Sequence, residues 1–278
     1  MIIWIASYPK SGNTYVRSFL SSYYYSKKGK FDFELLLNIK QFPALKYSSK
    51  KAYTYVDAAK NWIPNQQNFF KKNQYYFLKT HNSLEEYFGN KFTTSSETVG
   101  GIYIVRDPRN VISSMCNHYA IDIDKAYAKM VDANSSLSFK LADEDYSNFT
   151  FLGKWSNHYW SWKNNMNFKT LIIKYEDLKD NTFEEFRKII NFIEDLKGTN
   201  NEINEEKLEN SINSTSFSKL KNKEKMYGFG ESTVSKDGKP INFFNLGFKN
   251  QWENLLPKEM SDKIKNEFIN ELKDLEYE

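Results

Sequence analysis

Apolar residues in this 278-residue chain fall into short runs separated by longer stretches with a helical period. Ile2-Ile3-Trp4-Ile5-Ala6 is too short for a helix and rich in β-branched side chains, which suits the buried central strand of a parallel sheet. Tyr75 to Lys79, Ile102 to Arg106 and Thr170 to Lys174 repeat that pattern, and Gly100-Gly101 reads as the turn before the third run. Helical spacing lies between them. A helix is predicted from Asn13 or Thr14 through Phe19, Leu20 and Tyr23 to Tyr25, and a short one around Phe33, Leu36, Leu37 and Lys40. Val56, Ala59, Trp62 and Ile63 predict another, ended by Pro64, with Trp62 as a core residue. Val111, Ile112, Met115 and Tyr119 form a stripe after Asp107-Pro108, which read as N-cap and first-turn proline. Leu152, Trp155, Tyr159, Trp162 and Met166 form a heavier aromatic stripe. Phe183, Phe186, Ile189, Ile190 and Ile193 mark a helix from about Thr182 to Leu196, ended at Gly198, with Thr199-Asn200-Asn201 as a linker. Met260, Ile264, Phe268 and Leu272 predict a terminal helix over 257–276. Strands alternating with helices predict an α/β fold, a single domain over 1–278 whose central parallel sheet of four to five strands is flanked by helices, like a P-loop nucleotide kinase. The glycine-bearing stretch of about 227–245 reads as a mobile surface loop able to close over a ligand.

The first strand runs directly into Ser7-Tyr8-Pro9-Lys10-Ser11-Gly12-Asn13-Thr14-Tyr15. A helix starting there points unpaired N–H groups at the loop, where Lys10, Ser11 and Thr14 add donors, making a phosphate-sized anion site. The spacing is not the nucleoside triphosphate loop G-x-x-x-x-G-K-S/T, because Lys10 precedes the glycine. Lys79 and His81 follow the second run, and ligands of open α/β sheets bind beyond the carboxyl ends of strands, so both are delivered to the same edge.

Hydrophobic residues at 40% and aromatics at 17% exclude general disorder, and a net charge of +4 without clustering gives no nucleic-acid footprint. Cys116 is the sole cysteine, which excludes an intramolecular disulfide and a cysteine metal cage and fits a reducing, cytoplasmic setting. His81, His118 and His158 show no metal-ligand spacing, so no metal is expected. No run approaches membrane-spanning length and the start lacks a secretory pattern, so a protein without a membrane anchor is expected.

The motifs together resemble the sulfotransferases that use 3′-phosphoadenosine 5′-phosphosulfate (PAPS), whose phosphosulfate loop reads Tyr-Pro-Lys-Ser-Gly-Thr-Thr-Trp. Here Asn13 and Tyr15 replace a threonine and the tryptophan. Lys79-Thr80-His81 matches the family's Lys-Thr-His, and Arg106-Asp107-Pro108 through Ser114 matches its second signature. Tyr175-Glu176-Asp177-Leu178 matches Tyr-Glu-Asp-Leu, and Thr215-Ser216-Phe217 matches Thr-x-Phe. The segment from Phe243 to Trp252 keeps Phe243, Gly247 and Trp252 of the family's Phe-x-Arg-Lys-Gly-x-x-Gly-x-Trp. Asn245 and Leu246 stand where the family has Arg-Lys, and Asn250 stands for its second glycine; Lys249 or Lys239 are candidate substitutes for the lost charge.

The resemblance implies that PAPS is the co-substrate and 3′-phosphoadenosine 5′-phosphate (PAP) the product, without a metal. Lys10, Ser11, Gly12, Asn13, Thr14 and Tyr15 would hold its phosphosulfate end, and Arg106, Ser114, Asn245 and Gly247 its 3′-phosphate side. Tyr175, Thr215, Phe217 and Phe243 would border the nucleotide. His81 would be general base, with Lys10 and Lys79 stabilising charge, and His158 a candidate acceptor contact on a Trp-x-x-His helix. The acceptor would be a small molecule or glycan bearing a hydroxyl or amine; a homodimer is left open. The alternatives are a P-loop small-metabolite kinase, against which stand the displaced Lys10 and the lack of a convincing magnesium carboxylate, since helix capping accounts for Asp107, and a catalytically weak nucleotide-binding protein.

Overall fold

The computed structural model describes all residues except 139–143, 200 and 236; Asn200 of the expected linker and one position of the 227–245 loop therefore lie outside the described residues. Strand β1 (Ile2–Ser7) leads into helix α1 (Asn13–Tyr25), a 3₁₀ turn (Phe33–Asn38) and the two-residue β2 (Lys40–Gln41). Helices α2 (Tyr55–Lys60) and α3 (Trp62–Phe69) precede β3 (Tyr76–Thr80), β4 (Thr98–Val105), α4 (Pro108–Tyr119) and α5 (Ile123–Val131). A small pair, β5 (Ser136–Leu137) and β6 (Thr150–Phe151), is followed by α6 (Trp155–Lys163), β7 (Lys169–Lys174), α7 (Asp177–Asp180) and α8 (Thr182–Lys197). Then come α9 (Glu205–Ser214), α10 (Phe217–Tyr227), a hairpin of β8 (Thr233–Val234) and β9 (Pro240–Ile241), α11 (Trp252–Leu255), α12 (Lys258–Glu267) and α13 (Ile269–Asp274).

The main sheet has five strands in the order β2-β3-β1-β4-β7. All its pairings are parallel. β1 is central and fully buried on both faces, as its uninterrupted apolar run requires. Ile2, Trp4 and Ala6 face a core with Trp62, Trp155, Trp162 and Phe268. Ile3 and Ile5 face the opposite core with Phe19, Phe186 and Ile189. The chain leaves β1 for β3 on one side and β4 on the other, so the crevice at the carboxyl end of β1 is the topological switch point.

Several expectations are corrected by packing. Gly100-Gly101 is not a turn but lies within β4. A Cβ at Gly100 would meet Leu196 of α8 at 2.5 Å, and one at Gly101 would meet Trp162 of α6 at 2.8 Å. The glycines thus let a helix from each side approach the sheet. Pro64 sits in the first turn of α3, where a missing N–H is tolerated, rather than ending a helix. Met166 is 94% exposed beyond the end of α6, so the aromatic stripe stops one turn short. The terminal helix is two helices meeting at Phe268, although Met260, Ile264, Phe268 and Leu272 are all buried as a stripe. The edge strand β2 escapes sequence pattern because two exposed polar residues carry no alternation.

Candidate functional site

Four strand ends meet around a cavity of about 480 Å³. Its wall includes Lys10 and Thr14 after β1, Lys79 of β3 and His81 just past it, and Arg106 and Tyr175 just past β4 and β7. α4 adds Ser113, Ser114 and His118, and the segment after β9 adds Phe243, Asn245, Gly247 and Phe248.

The first loop is shaped by two residues in the left-handed region, Lys10 at φ 68° and Gly12 at φ 99°. Gly12 is required twice over, since a Cβ there would lie 2.2 Å from Cδ2 of Tyr175. The side chain of Asn13 faces back into the protein, donating to the carbonyl oxygen of Ile5 at 2.9 Å and to Ser7 Oγ at 3.3 Å. It braces the loop and leaves ligand contact to the backbone. Ser11 Oγ is buried and has no hydrogen-bond partner, as expected of a donor held for an anion. Tyr15 packs edge-on against Phe186 and Phe248, filling the aromatic position with a smaller ring.

Arg106 is buried and links two signatures. Nη1 donates to the carbonyl of Lys10 at 3.2 Å, Nη2 lies 3.4 Å from that of Gly247, and the guanidinium stacks 4.5 Å over Tyr175. Its Nε is an unpaired buried donor. Gly247, at φ 56°, sits against Phe217, whose Cε2 would be 2.5 Å from an added Cβ. Thr215 is fully buried and donates to the carbonyl of Ser211 at 2.7 Å, capping α9, while Phe217 of the same motif lines the cavity. Asn250 explains the departure from glycine. It donates to the carbonyl of Asn110 at 2.8 Å and accepts from Ser113 Oγ at 2.7 Å, riveting this segment to α4. Lys249 and Lys239 are exposed and off the cavity wall, whereas Lys221 Nζ bonds the carbonyl of Asn245 at 2.7 Å.

His81 is held in one orientation. Nδ1 lies 2.8 Å from the carbonyl of Ser7, to which it donates, so Nε2 is the unprotonated nitrogen of the neutral ring. Burial, reinforced by the charge of Lys79, pushes its pKa down to about 3. His158 is corrected from acceptor contact to support. It is fully buried, donates Nε2–H to the carbonyl of His81 at 3.0 Å and accepts from Tyr103 Oη at 2.8 Å. Burial and then the neighbouring Lys79 bring Lys10 down to about 7, and its Nζ lies 4.0 Å above the Phe243 ring. Burial lowers Lys79 as well, with Glu231 opposing.

Sequence reasoning missed four residues here. Glu224 of α10 accepts from the backbone N–H groups of Phe243 at 2.6 Å and Phe244 at 2.9 Å and from Ser232 Oγ at 2.6 Å, so the segments on either side of β8 and β9 share one anchor. Glu231, Arg17 and Asn250 are the others. Arg17 had a signal: it lies three residues after Thr14 on the same helix face. Glu231 had none, being a single acid in a glycine-bearing loop. Asp107 caps α4 and grips Arg109, with Nη2 to Oδ2 at 2.7 Å, so it is not a free metal carboxylate. Among the described residues, no group of three or more His, Cys, Asp or Glu side chains is placed to hold a metal ion.

A five-stranded parallel α/β sheet with a tight strand-to-helix loop lining the cavity at its switch point defines the class. The particular family follows from comparison: the family model of the sulfotransferase domain matches residues 2–276, and the chain belongs to that family. Sulfotransferase 1B1 of dog is 32% identical over 114 residues, 40% of this chain and 36% of that protein, so the match spans about a third of the relative's length. Among solved structures, a retinol dehydratase with retinol and PAP superposes with a TM-score of 0.60 at 17% identity, covering 98% of this chain and 81% of that one. Mouse sulfotransferase SULT7A1 with PAP gives 0.55 at 17% identity, covering 98% and 83%. The architecture is therefore the sulfotransferase one, which replaces the kinase-like description of the sheet. Among the described residues, no helix is long and apolar enough to cross a membrane.

Proposed function

We propose that the protein moves a sulfuryl group from PAPS to a hydroxyl or amine of a small-molecule or glycan acceptor. The observation that carries this reading is the meeting of Lys10, Thr14, Lys79, Arg106 and Ser114 in one cavity with His81, whose Nε2 is free to take a proton. The cavity also fits the nucleotide on its own terms. Arg106, on the cavity wall, keeps its Nε as a buried donor without a partner, and Ser11 Oγ in the adjoining loop is another. The PAP bound in the two matched structures belongs to those proteins, and supports the same ligand here.

PAPS would supply the sulfuryl group, whose bond to the 5′-phosphate oxygen breaks as the bond to the acceptor oxygen or nitrogen forms. His81 Nε2 accepts the acceptor's proton, as a base kept neutral by burial. Lys10 and Lys79 balance charge on the departing phosphate oxygens, and an anion beside Lys10 restores the charge that burial disfavours. Arg106 offers a planar donor fork to the 3′-phosphate and Ser114 a hydroxyl. The reading extends to one catalytic domain over 1–278, a cytoplasmic location and no metal requirement, all resting on the sequence.

Isothermal titration tests it: PAP should bind without metal and clearly more tightly than adenosine 5′-phosphate. No preference would remove the 3′-phosphate site from this reading, and Mg²⁺-dependent binding of ATP would favour a kinase. A second reading, a nucleotide-binding protein with weak catalysis, is favoured by Asn245 and Leu246 in place of the family's cationic pair. It predicts PAP binding with no turnover of any hydroxyl or amine acceptor supplied with PAPS.

A further inference from the structure

Glu231 reaches into the cavity from the connection between α10 and β8. Its Oε1 accepts from Arg17 Nη1 at 2.7 Å, and its Oε2 accepts from Thr14 Oγ1 at 3.1 Å and Lys79 Nζ at 3.2 Å. The three donors are each nearly fully buried, at 5–6% exposed, whereas the Glu231 side chain keeps 28% of its surface. Two of the donors, Thr14 and Lys79, belong to the proposed phosphosulfate site. Arg17 follows Thr14 by one turn of α1, and its Nε is a further buried donor without a partner. This is an anion seat of greater donor capacity than one carboxylate uses.

We infer that Thr14, Arg17 and Lys79 form an anion-binding seat, taken by the Glu231 carboxylate in this structure, for which the anionic 5′ end of the co-substrate competes. The inference rests on the nucleotide reading above for the identity of the competing anion. It adds Arg17 to the binding residues and gives Glu231 the role of a tethered competitor. The tether can yield. A Cβ added at Gly228 or Gly230 would meet no atom within 4 Å, so nothing packs against those two positions of the segment that carries Glu231. Charge favours the exchange, since a phosphosulfate brings two anionic groups to cations that now face one carboxylate. A ligand that must displace a resident group binds with an apparent affinity reduced by the fraction of time the seat is taken.

The test is titration of the full chain and its Glu231→Gln variant with inorganic pyrophosphate, PAP and adenosine 5′-phosphate. Loss of the competitor should tighten all three by a similar factor, roughly tenfold. Arg17→Gln in the Glu231→Gln background should remove most of that gain. Glu231→Asp, which keeps the charge and shortens its reach, should fall between. Unchanged or weaker pyrophosphate binding in Glu231→Gln and Glu231→Asp, with both folded by circular dichroism, would overturn the proposal and make Glu231 a brace. A gain that survives loss of Arg17 would remove Arg17 from the seat. Pyrophosphate reports the seat alone. Failure of the nucleotide reading shows separately, as equal binding of PAP and adenosine 5′-phosphate.

Discussion

His158 donates Nε2–H to the carbonyl oxygen of His81 at 3.0 Å, so one buried histidine fixes the backbone that carries the other. With Nδ1 of His81 bonded to Ser7, both the position and the tautomer of the proposed base are set by neighbours outside the cavity's polar wall. His81→Ala should abolish sulfuryl transfer while changing PAP affinity by less than about threefold, within roughly 0.7 kcal/mol. Steady-state turnover and titration on the same preparation check both halves; undiminished turnover would remove His81 from the mechanism.

Stability should fall on acidification. Burial lowers His81 to about 3 and His118 and His158 each to about 4, against an ordinary value of 6.5. Below pH 6.5 the unfolded chain takes up protons that the folded chain refuses, so stability is full above that point and is lost progressively toward pH 4. Each such histidine contributes a slope of up to about 1.4 kcal/mol per pH unit. Denaturant melts from pH 7 to pH 4 should show the decline. His158→Gln should flatten it by about one proton's worth; an unaltered slope would mean that His158 is already protonated in the fold.

Gly12→Ala forces an L side chain to φ 99° and drives its Cβ into the Tyr175 ring. Backbone strain of this kind costs about 1–3 kcal/mol, and displacement of the ring also disturbs the stack beneath Arg106. A lowered melting temperature and at least roughly tenfold weaker PAP binding are expected. A variant as stable as the parent would mean that the loop adopts another path.

Asn245→Arg restores one member of the family's cationic pair at a position on the cavity wall. A charge-assisted bond to the 3′-phosphate is worth about 1.5–3 kcal/mol, so PAP should bind at least about tenfold more tightly and adenosine 5′-phosphate little differently. Equal effects on both ligands would show that the new charge acts at a distance, without meeting the 3′-phosphate.

The four apolar strands of the main sheet, the first loop and the Lys79, His81, Arg106 and Tyr175 positions were legible because each is written locally, as an apolar run followed by a motif. What was not legible depends on contacts across the chain. Gly100 and Gly101 look like a turn until α6 and α8 are seen against them. Asn250 looks like a lost glycine until Asn110 and Ser113 are seen to need it. Glu224 and Glu231 act on residues far away along the chain or on buried cations, and single carboxylates in lysine-rich sequence carry no local mark. Thr215 shows a motif match whose side chain is committed to a helix end, which local sequence does not reveal.

The depressed Lys10 has a bearing on the protein's chemical reactivity. An ammonium that releases its proton near pH 7 presents a free amine under conditions where solvent-exposed lysines stay protonated. In a chain this rich in lysine, mild acylation or reductive alkylation at neutral pH would therefore discriminate by basicity as well as by access. Lys10 shares this lowering with Lys79 and the N-terminal amine, and its own amine lies on the wall of the cavity, within the loop after β1. A covalent tag there would report whether the loop is covered, which gives the protein a built-in address for affinity labels and for mass-spectrometric footprinting of whatever ligand protects it.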